Sequence, residues 1–372
     1  MKKDRLFFPE NYIRARERIP ELRHRFKVRV RPKPLLVIPV FPIGKSAAAG
    51  IIILALLLTA GCSQAPFTPV EGTVTAGSTP APAPVTGGRV VAAYFYLFDD
   101  ASTAALAAPD QIPWKKVNRI YIAFATVKDG VLTDLPVGSS ANDQAQREVT
   151  AQKIRTIVKL CHENNPDAEI FITSNFGDDL DTEYLAAAQD PQKFADSVVA
   201  YLKEYDLDGY DMDWESRQID DYAPQLTTLL STCHTTFAAA GNNPHGHPYT
   251  LTYTVWPGVE SPQTVAATAD SVDQINLMTY GPGEGYDLAS YADSYATAGV
   301  PYGKMIGGLE SEAGYSENGG PDTQESVATK CAYVKEHNLA GLFEWRLDND
   351  MRPDNGAPTY QVTGWMSDCL SQ

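Results

Sequence analysis

Eight short apolar runs, rich in β-branched and aromatic residues and separated by helical patterns, set the strongest limit on how residues 89–372 can fold. The runs are Val90–Tyr96, Arg119–Ala125, Glu169–Ser174, Gly209–Asp213, Thr250–Trp256, Gln274–Tyr280, Lys304–Leu309 and Gly341–Trp345. Between them, Ile154, Ile157, Val158 and Cys161 mark one helical face, and Phe194, Val198, Tyr201 and Leu202 mark another, because positions three and four apart meet on a helix surface. Strand and helix alternating eight times predict an α/β chain folded as a (β/α)8 TIM barrel. The alternative is an open doubly wound sheet. That fold usually has a glycine-rich turn after its first strand, and Tyr94-Phe95-Tyr96-Leu97 holds no glycine. With 44% hydrophobic residues in 372, the chain can bury the core of one such barrel.

Upstream of the barrel, Ala47–Ala60 (AAAGIIILALLLTA) is almost wholly apolar. It suits a signal-peptide core better than a membrane span, which needs about 20 residues. Lys45 precedes it and Ala60-Gly61-Cys62 ends it, a pattern that resembles a bacterial lipoprotein signal. Cleavage before Cys62 and lipid on that cysteine are the expectation, with an extracytoplasmic, membrane-anchored protein as the consequence. A short transmembrane anchor is the alternative. The leader ahead of the signal is long, Arg-rich and carries Pro32, Pro34 and Pro39. The reading favours a translation start downstream of Met1, with a cytoplasmic tail as the other choice. Residues 62–88 (CSQAPFTPVEGTVTAGSTPAPAPVTGG) are too rich in Pro, Thr, Ala and Gly to build a core, so a disordered tether is expected there.

Charge divides along the same boundary. Residues 1–45 hold 13 of the 30 Lys+Arg and 4 of the 46 Asp+Glu, leaving 17 basic and 42 acidic residues downstream. So acidic a body repels phosphate backbones, which argues against nucleic acid as partner and suits a neutral substrate. The cysteines are Cys62, Cys161, Cys233, Cys331 and Cys369, with no C-x-x-C among them. The four in the body permit two disulfides outside the cytosol, or four buried thiols. One pair is expected: Cys331 on the helix before the last strand and Cys369 after that strand should be neighbours in the outer ring.

The chemistry concentrates in Leu207-Asp208-Gly209-Tyr210-Asp211-Met212-Asp213-Trp214-Glu215. Strand side chains alternate, so Asp211, Asp213 and Glu215 share a face, inward and toward the C-terminal rim where barrel active sites lie. Steps of two residues are about 7 Å, so three carboxylates there repel one another and at least one proton is held more tightly. A general acid needs that property. A calcium loop would need turn residues at its bends, and residues 210–215 hold none.

The pattern Asp208-Gly209-x-Asp211-x-Asp213-x-Glu215 resembles the fourth-strand signature of family 18 glycoside hydrolases, which include chitinases and endo-β-N-acetylglucosaminidases. Asn276-Leu277-Met278-Thr279-Tyr280 resembles that family's sixth strand, and Trp345 resembles the tryptophan that floors its sugar subsite. The resemblance implies hydrolysis of N-acetylglucosamine-containing polysaccharide or glycan, without cofactor or metal, by a retaining mechanism in which the substrate supplies the nucleophile. Glu215 would protonate the leaving oxygen. Asp213 would orient the 2-acetamido group, Asp211 would share a proton with Asp213, and Tyr280 would bind the acetamido oxygen. Trp345 would lie beneath the ring, with Met278 and Tyr94 also facing substrate.

The chain also departs from the pattern. Gly281 follows Tyr280 where many chitinases have an aspartate, which leaves room for endoglycosidases of N-glycans. Only 30 residues separate Leu309 from Ala340, too few for the extra domain that deepens the groove of some relatives. Trp256 could stack on sugar, and Glu310 and Glu312 could reach hydroxyls. Asp348-Asn349-Asp350 lacks calcium-loop spacing, and His245 and His247 have no H-E-x-x-H partner. The rival reading, a non-catalytic sugar-binding barrel, usually lacks an acid at the position of Glu215, and an inert scaffold leaves the clustered acids unexplained.

Overall fold

The structure is a computed structural model that describes residues 88–134, 144–175, 180–280, 287–313, 320–353 and 356–371. The leader, the apolar signal segment, Cys62 and the tether up to residue 87 lie outside the described residues. No helix among the described residues is long and apolar enough to cross a membrane.

The strands are β1 (Val90–Tyr96), β2 (Arg119–Lys128), β3 (Val131–Thr133), β4 (Glu169–Ser174), β5 (Gly209–Asp213), β6 (Thr250–Val255), β7 (Gln274–Leu277), β8 (Met305–Glu310) and β9 (Gly341–Trp345). All but β3 are parallel, and β1 pairs with both β2 and β9, so eight strands close into a barrel. Around it run α1 (Asp100–Ala107), α2 (Gln144–Asn164), α3 (Leu180–Ala187), α4 (Pro191–Tyr205), α5 (Ala223–Ala239), α6 (Pro262–Thr268), α7 (Leu288–Ala298), α8 (Gln324–His337) and α9 (Gln361–Leu370). The expected barrel and its two helical faces are present. Ile154, Ile157, Val158 and Cys161 are buried on α2, as are Phe194, Val198, Tyr201 and Leu202 on α4.

Local chemistry explains the helix ends. On α4, Asp190 caps the first turn by accepting from the Lys193 N–H, and Pro191 follows with its φ already suited to a helix. Asp206 ends the helix in the left-handed region at φ 60°. The chain then enters β5 through Gly209. A Cβ there would stand 2.5 Å from the Thr250 carbonyl oxygen and 2.7 Å from the Phe171 ring, so only glycine allows the strands to approach this closely. Asp208 ties the same entrance. Its Oδ2 accepts from Ile170 N–H and its Oδ1 pairs with His245 Nδ1 at 2.7 Å, while His245 Nε2 lies 2.8 Å from the Pro166 carbonyl. Both ring nitrogens face acceptors. Burial alone would push the imidazole pKa down, but these two bonds outweigh it and raise it.

Four strands differ from expectation in their boundaries. The second strand runs to Lys128 rather than Ala125, then folds back through Asp129-Gly130 into antiparallel β3. Both turn residues have positive φ (52° and 74°), the geometry of a two-residue hairpin turn. Strand β7 stops at Leu277 instead of Tyr280, β6 stops one residue short of Trp256, and β8 lies one residue later than expected, which brings Glu310 into it. Cys331 and Cys369 form the expected disulfide between α8 and α9, whereas Cys161 and Cys233 are buried free thiols.

Candidate active site

Alternation along β5 sorts its residues. Tyr210, Met212 and Trp214 point into the apolar layer under the helices, where Trp214 stacks on Tyr184 at 4.8 Å. The intervening acids face the barrel axis. Asp211 is fully buried and collects donors from four strands. Tyr94 hydroxyl on β1 (2.9 Å) and Thr173 on β4 (3.1 Å) reach its Oδ2. Thr252 on β6 (2.6 Å) and Asn276 on β7 (3.3 Å) reach Oδ1, and Thr254 Oγ1 lies 3.0 Å from both oxygens. Burial raises the Asp211 pKa, and these hydrogen bonds work against that rise.

Asp213 stands one pleat higher and is 4% exposed. Its Oδ2 accepts from Asn175 Nδ2 at 2.8 Å, and the same nitrogen donates to Glu215 Oε1 at 2.8 Å. Both neighbours are acceptors, so the amide turns its two N–H groups toward them, one to each. Asp213 Oδ1 is buried and accepts no hydrogen bond among the described residues. Burial first, then the charges of Glu215 and Asp211, push the Asp213 pKa well above the usual carboxylate range. Glu215 is half-buried at the end of the row.

Aromatic side chains line the neighbouring mouth. Trp345, at the end of β9, is 5% exposed and packs among Phe124 (5.8 Å, stacked), Tyr94 (5.7 Å) and Tyr96 (6.2 Å). The next residue, Arg346, is buried and ion-paired to Asp99, Glu312 (2.6 Å) and Asp348 (3.1 Å), which joins the loops after β1, β8 and β9 beside that indole. Tyr280 is half-buried. Its ring lies over Gly308, where a Cβ would come within 2.6 Å of it, and edge-on to Phe343 at 5.8 Å. Room for Tyr280 therefore depends on glycine in the neighbouring strand. The chain leaves the β7 ladder here because Thr279 hydrogen-bonds across to Gly308 in both directions.

The remaining candidates fall in three places. Tyr94 is 2% exposed and its hydroxyl is bound to Asp211, so the structure places it beneath the acid row, holding a carboxylate. Met278 is buried just past β7, with its N–H on the Val255 carbonyl. Glu310 is buried at the end of β8, its Oε1 accepting from the Glu312 N–H, and Glu312 is committed to Arg346. Trp256 is half-buried at the end of β6 with Arg217 over its ring at 5.1 Å. Glu260, which the sequence did not single out, binds the Trp256 N–H (2.8 Å) and the Tyr253 hydroxyl; burial pushes its pKa up to about 8. Asn175, Thr252 and Thr254 were also unassigned. Their signal was parity: Asn175 follows Thr173 by two residues, and Thr252 and Thr254 alternate within β6.

The model of glycosyl hydrolases family 18 matches residues 90–309. An endochitinase of Brugia malayi is 24% identical over 232 residues, which are 54% of this chain and 44% of that protein, so the chain spans under half of that relative. Among solved structures, the class V chitinase of Nicotiana tobaccum superposes with a TM-score of 0.60 at 18% identity, over 76% of this chain and 99% of that one. Human YKL-39, described as a pseudo-chitinase with retained chitooligosaccharide binding properties, gives 0.61 at 14% identity, over 76% and 100%. At these identities the superpositions speak for the fold.

Proposed function

Because the chain belongs to glycosyl hydrolases family 18, we propose that it hydrolyses β-1,4-linked N-acetylglucosamine polymers with retention, using the substrate's own acetamido group as nucleophile. One observation carries the reading: a half-buried Glu215 and a buried Asp213 share the Asn175 amide, with Asp213 Oδ1 left without a donor among the described residues. Glu215 gives its proton to the glycosidic oxygen as the bond to the anomeric carbon breaks. The acetamido carbonyl oxygen attacks that carbon from the opposite side, which leaves an oxazolinium ion. Asp213 Oδ1 accepts the acetamido N–H and balances the positive charge. Water, deprotonated by Glu215, then opens the ring and restores the β configuration. Tyr280 steadies the acetamido oxygen, and Trp345 supports the sugar.

A second reading, an endo-β-N-acetylglucosaminidase of N-glycans, is favoured by Gly281 in place of the aspartate expected after Tyr280. Incubating the purified protein with chitin oligosaccharides and with a high-mannose glycoprotein, and reading products by mass spectrometry, separates the two. Shortened chitin oligomers with an intact glycoprotein support the chitinase reading; released glycan with intact oligomers supports the other. Products from neither would point to a sugar-binding barrel without activity.

We also propose that the protein is held outside the cytoplasm by lipid on Cys62. Support comes from the apolar run ending in Ala60-Gly61-Cys62 and the Pro/Thr-rich tether behind it. Cys62→Ser is expected to move the protein from the membrane fraction to the soluble one, or to leave it unprocessed. Membrane-bound wild-type protein that retains residues 1–61 would exclude lipid anchoring.

A further inference from the structure

Resting on the hydrolytic reading above, we propose that Asn175 is a positioning residue that keeps Asp213 turned toward Glu215, with Oδ2 held by the amide and Oδ1 free to meet the substrate's acetamido N–H. The argument begins with Asp211. Hydroxyls of Tyr94, Thr173, Thr252 and Thr254 and the Asn276 amide already satisfy its two oxygens. Asp211 therefore does not need Asp213 as a donor. The one donor that reaches Asp213 among the described residues is Asn175, and it reaches Glu215 over the same distance.

Without that amide, electrostatics would act against the working pose. Asp213 faces the charges of Glu215 and Asp211, and of Glu260 beyond β6. The hydroxyls of Tyr94, Tyr184 and Tyr253, from β1, α3 and β6, also feel its charge. A shared donor placed between two acids offsets their repulsion and fixes both rotamers at once. The residue is built for this place. Asn175 comes directly after β4, two positions beyond the inward-facing Thr173, and is 2% exposed. A buried amide there has little freedom to point elsewhere.

The test compares the full chain with Asn175→Leu, which nearly keeps the shape, removes both N–H groups and adds no charge, and with Asn175→Ser, which keeps one donor. Thermal melting first shows which variants fold. On chitin oligosaccharides, Asn175→Leu is expected to lose roughly 10–100-fold in kcat with KM little changed, because misplacement of catalytic groups costs about that much. Its pH–rate profile is expected to move toward higher pH, because donors to a carboxylate favour the ionised form. Asn175→Ser should fall between it and wild type. Carbon-13 NMR titration of the Asp213 carboxyl, in the absence of sugar, gives a readout independent of turnover, and its midpoint should rise in Asn175→Leu. If wild type cuts no N-acetylglucosamine polymer yet this midpoint rises, the hydrolytic reading fails while the clamp stands. An Asp213 titration identical in wild type and both folded variants would overturn the clamp, and so would an unmoved pH–rate profile.

Discussion

Replacing Glu215 with glutamine is expected to lower kcat on chitin oligosaccharides by about 10²–10⁴-fold or more, the usual contribution of a general acid, and to leave sugar binding and folding largely intact. Glutamine has the same shape and can still accept from the Asn175 amide through its oxygen, so the bond seen at 2.8 Å survives. The proton for the leaving oxygen does not. Glu215 is the one member of the acid row with a half-exposed position, and Asp211 is fully buried among its own donors, so no other acid of that row is as well placed to take over the role. Steady-state rates and calorimetric titration with the same oligosaccharide check both halves of this expectation. Near-wild-type turnover in the variant would remove Glu215 from the mechanism.

Removing the acetamido group from the substrate should be as damaging. Fully de-N-acetylated chitosan oligomers and cellulose oligomers are expected to survive incubation uncut, and thiazoline analogues of N-acetylglucosamine are expected to inhibit. The reason lies in where the carboxyl groups stand. A covalent sugar–enzyme ester needs a second carboxylate about 5 Å from the acid and across the anomeric carbon. Asp213 cannot lie across from Glu215, because both accept from a single Asn175 nitrogen and so approach from one side. Asp211 is sunk below them, and Glu260 is bound to Tyr253 and the Trp256 backbone. An oxygen supplied by the sugar, held close by Asp213, gains the advantage of an intramolecular reaction. Efficient cleavage of the chitosan oligomer would defeat this mechanism even if Glu215 stayed essential.

What could be read from the sequence was what repeats with a period. Alternation along Gly209–Asp213 placed Asp211 and Asp213 inward, and helical spacing placed Phe194 and Val198 under α4. The pairing of Cys331 with Cys369 was also legible, because barrel topology makes the helix before the last strand and the chain after it neighbours. What was missed depends on contacts between segments distant in sequence. The hairpin to β3 was signalled by Asp129-Gly130, but three residues are too few for a periodic signal. Tyr280 leaves β7 because Thr279 bonds to Gly308 on the next strand, which no local pattern announces. Asn175 is a single polar residue after a strand, and its meaning appears only when β4 and β5 lie side by side. Tyr94 was expected to face the sugar. Its phenol instead reaches across the barrel to Asp211, 117 residues away in sequence.

The most direct test of substrate-assisted retention is proton NMR of the wild-type chain acting on an N-acetylglucosamine oligomer, followed from the first minutes, with the de-N-acetylated oligomer in a parallel tube. The expected result is a β-anomer appearing first and relaxing slowly to the equilibrium mixture, with no product in the parallel tube. An initial α-anomer, or cleavage of the de-N-acetylated oligomer, would contradict it.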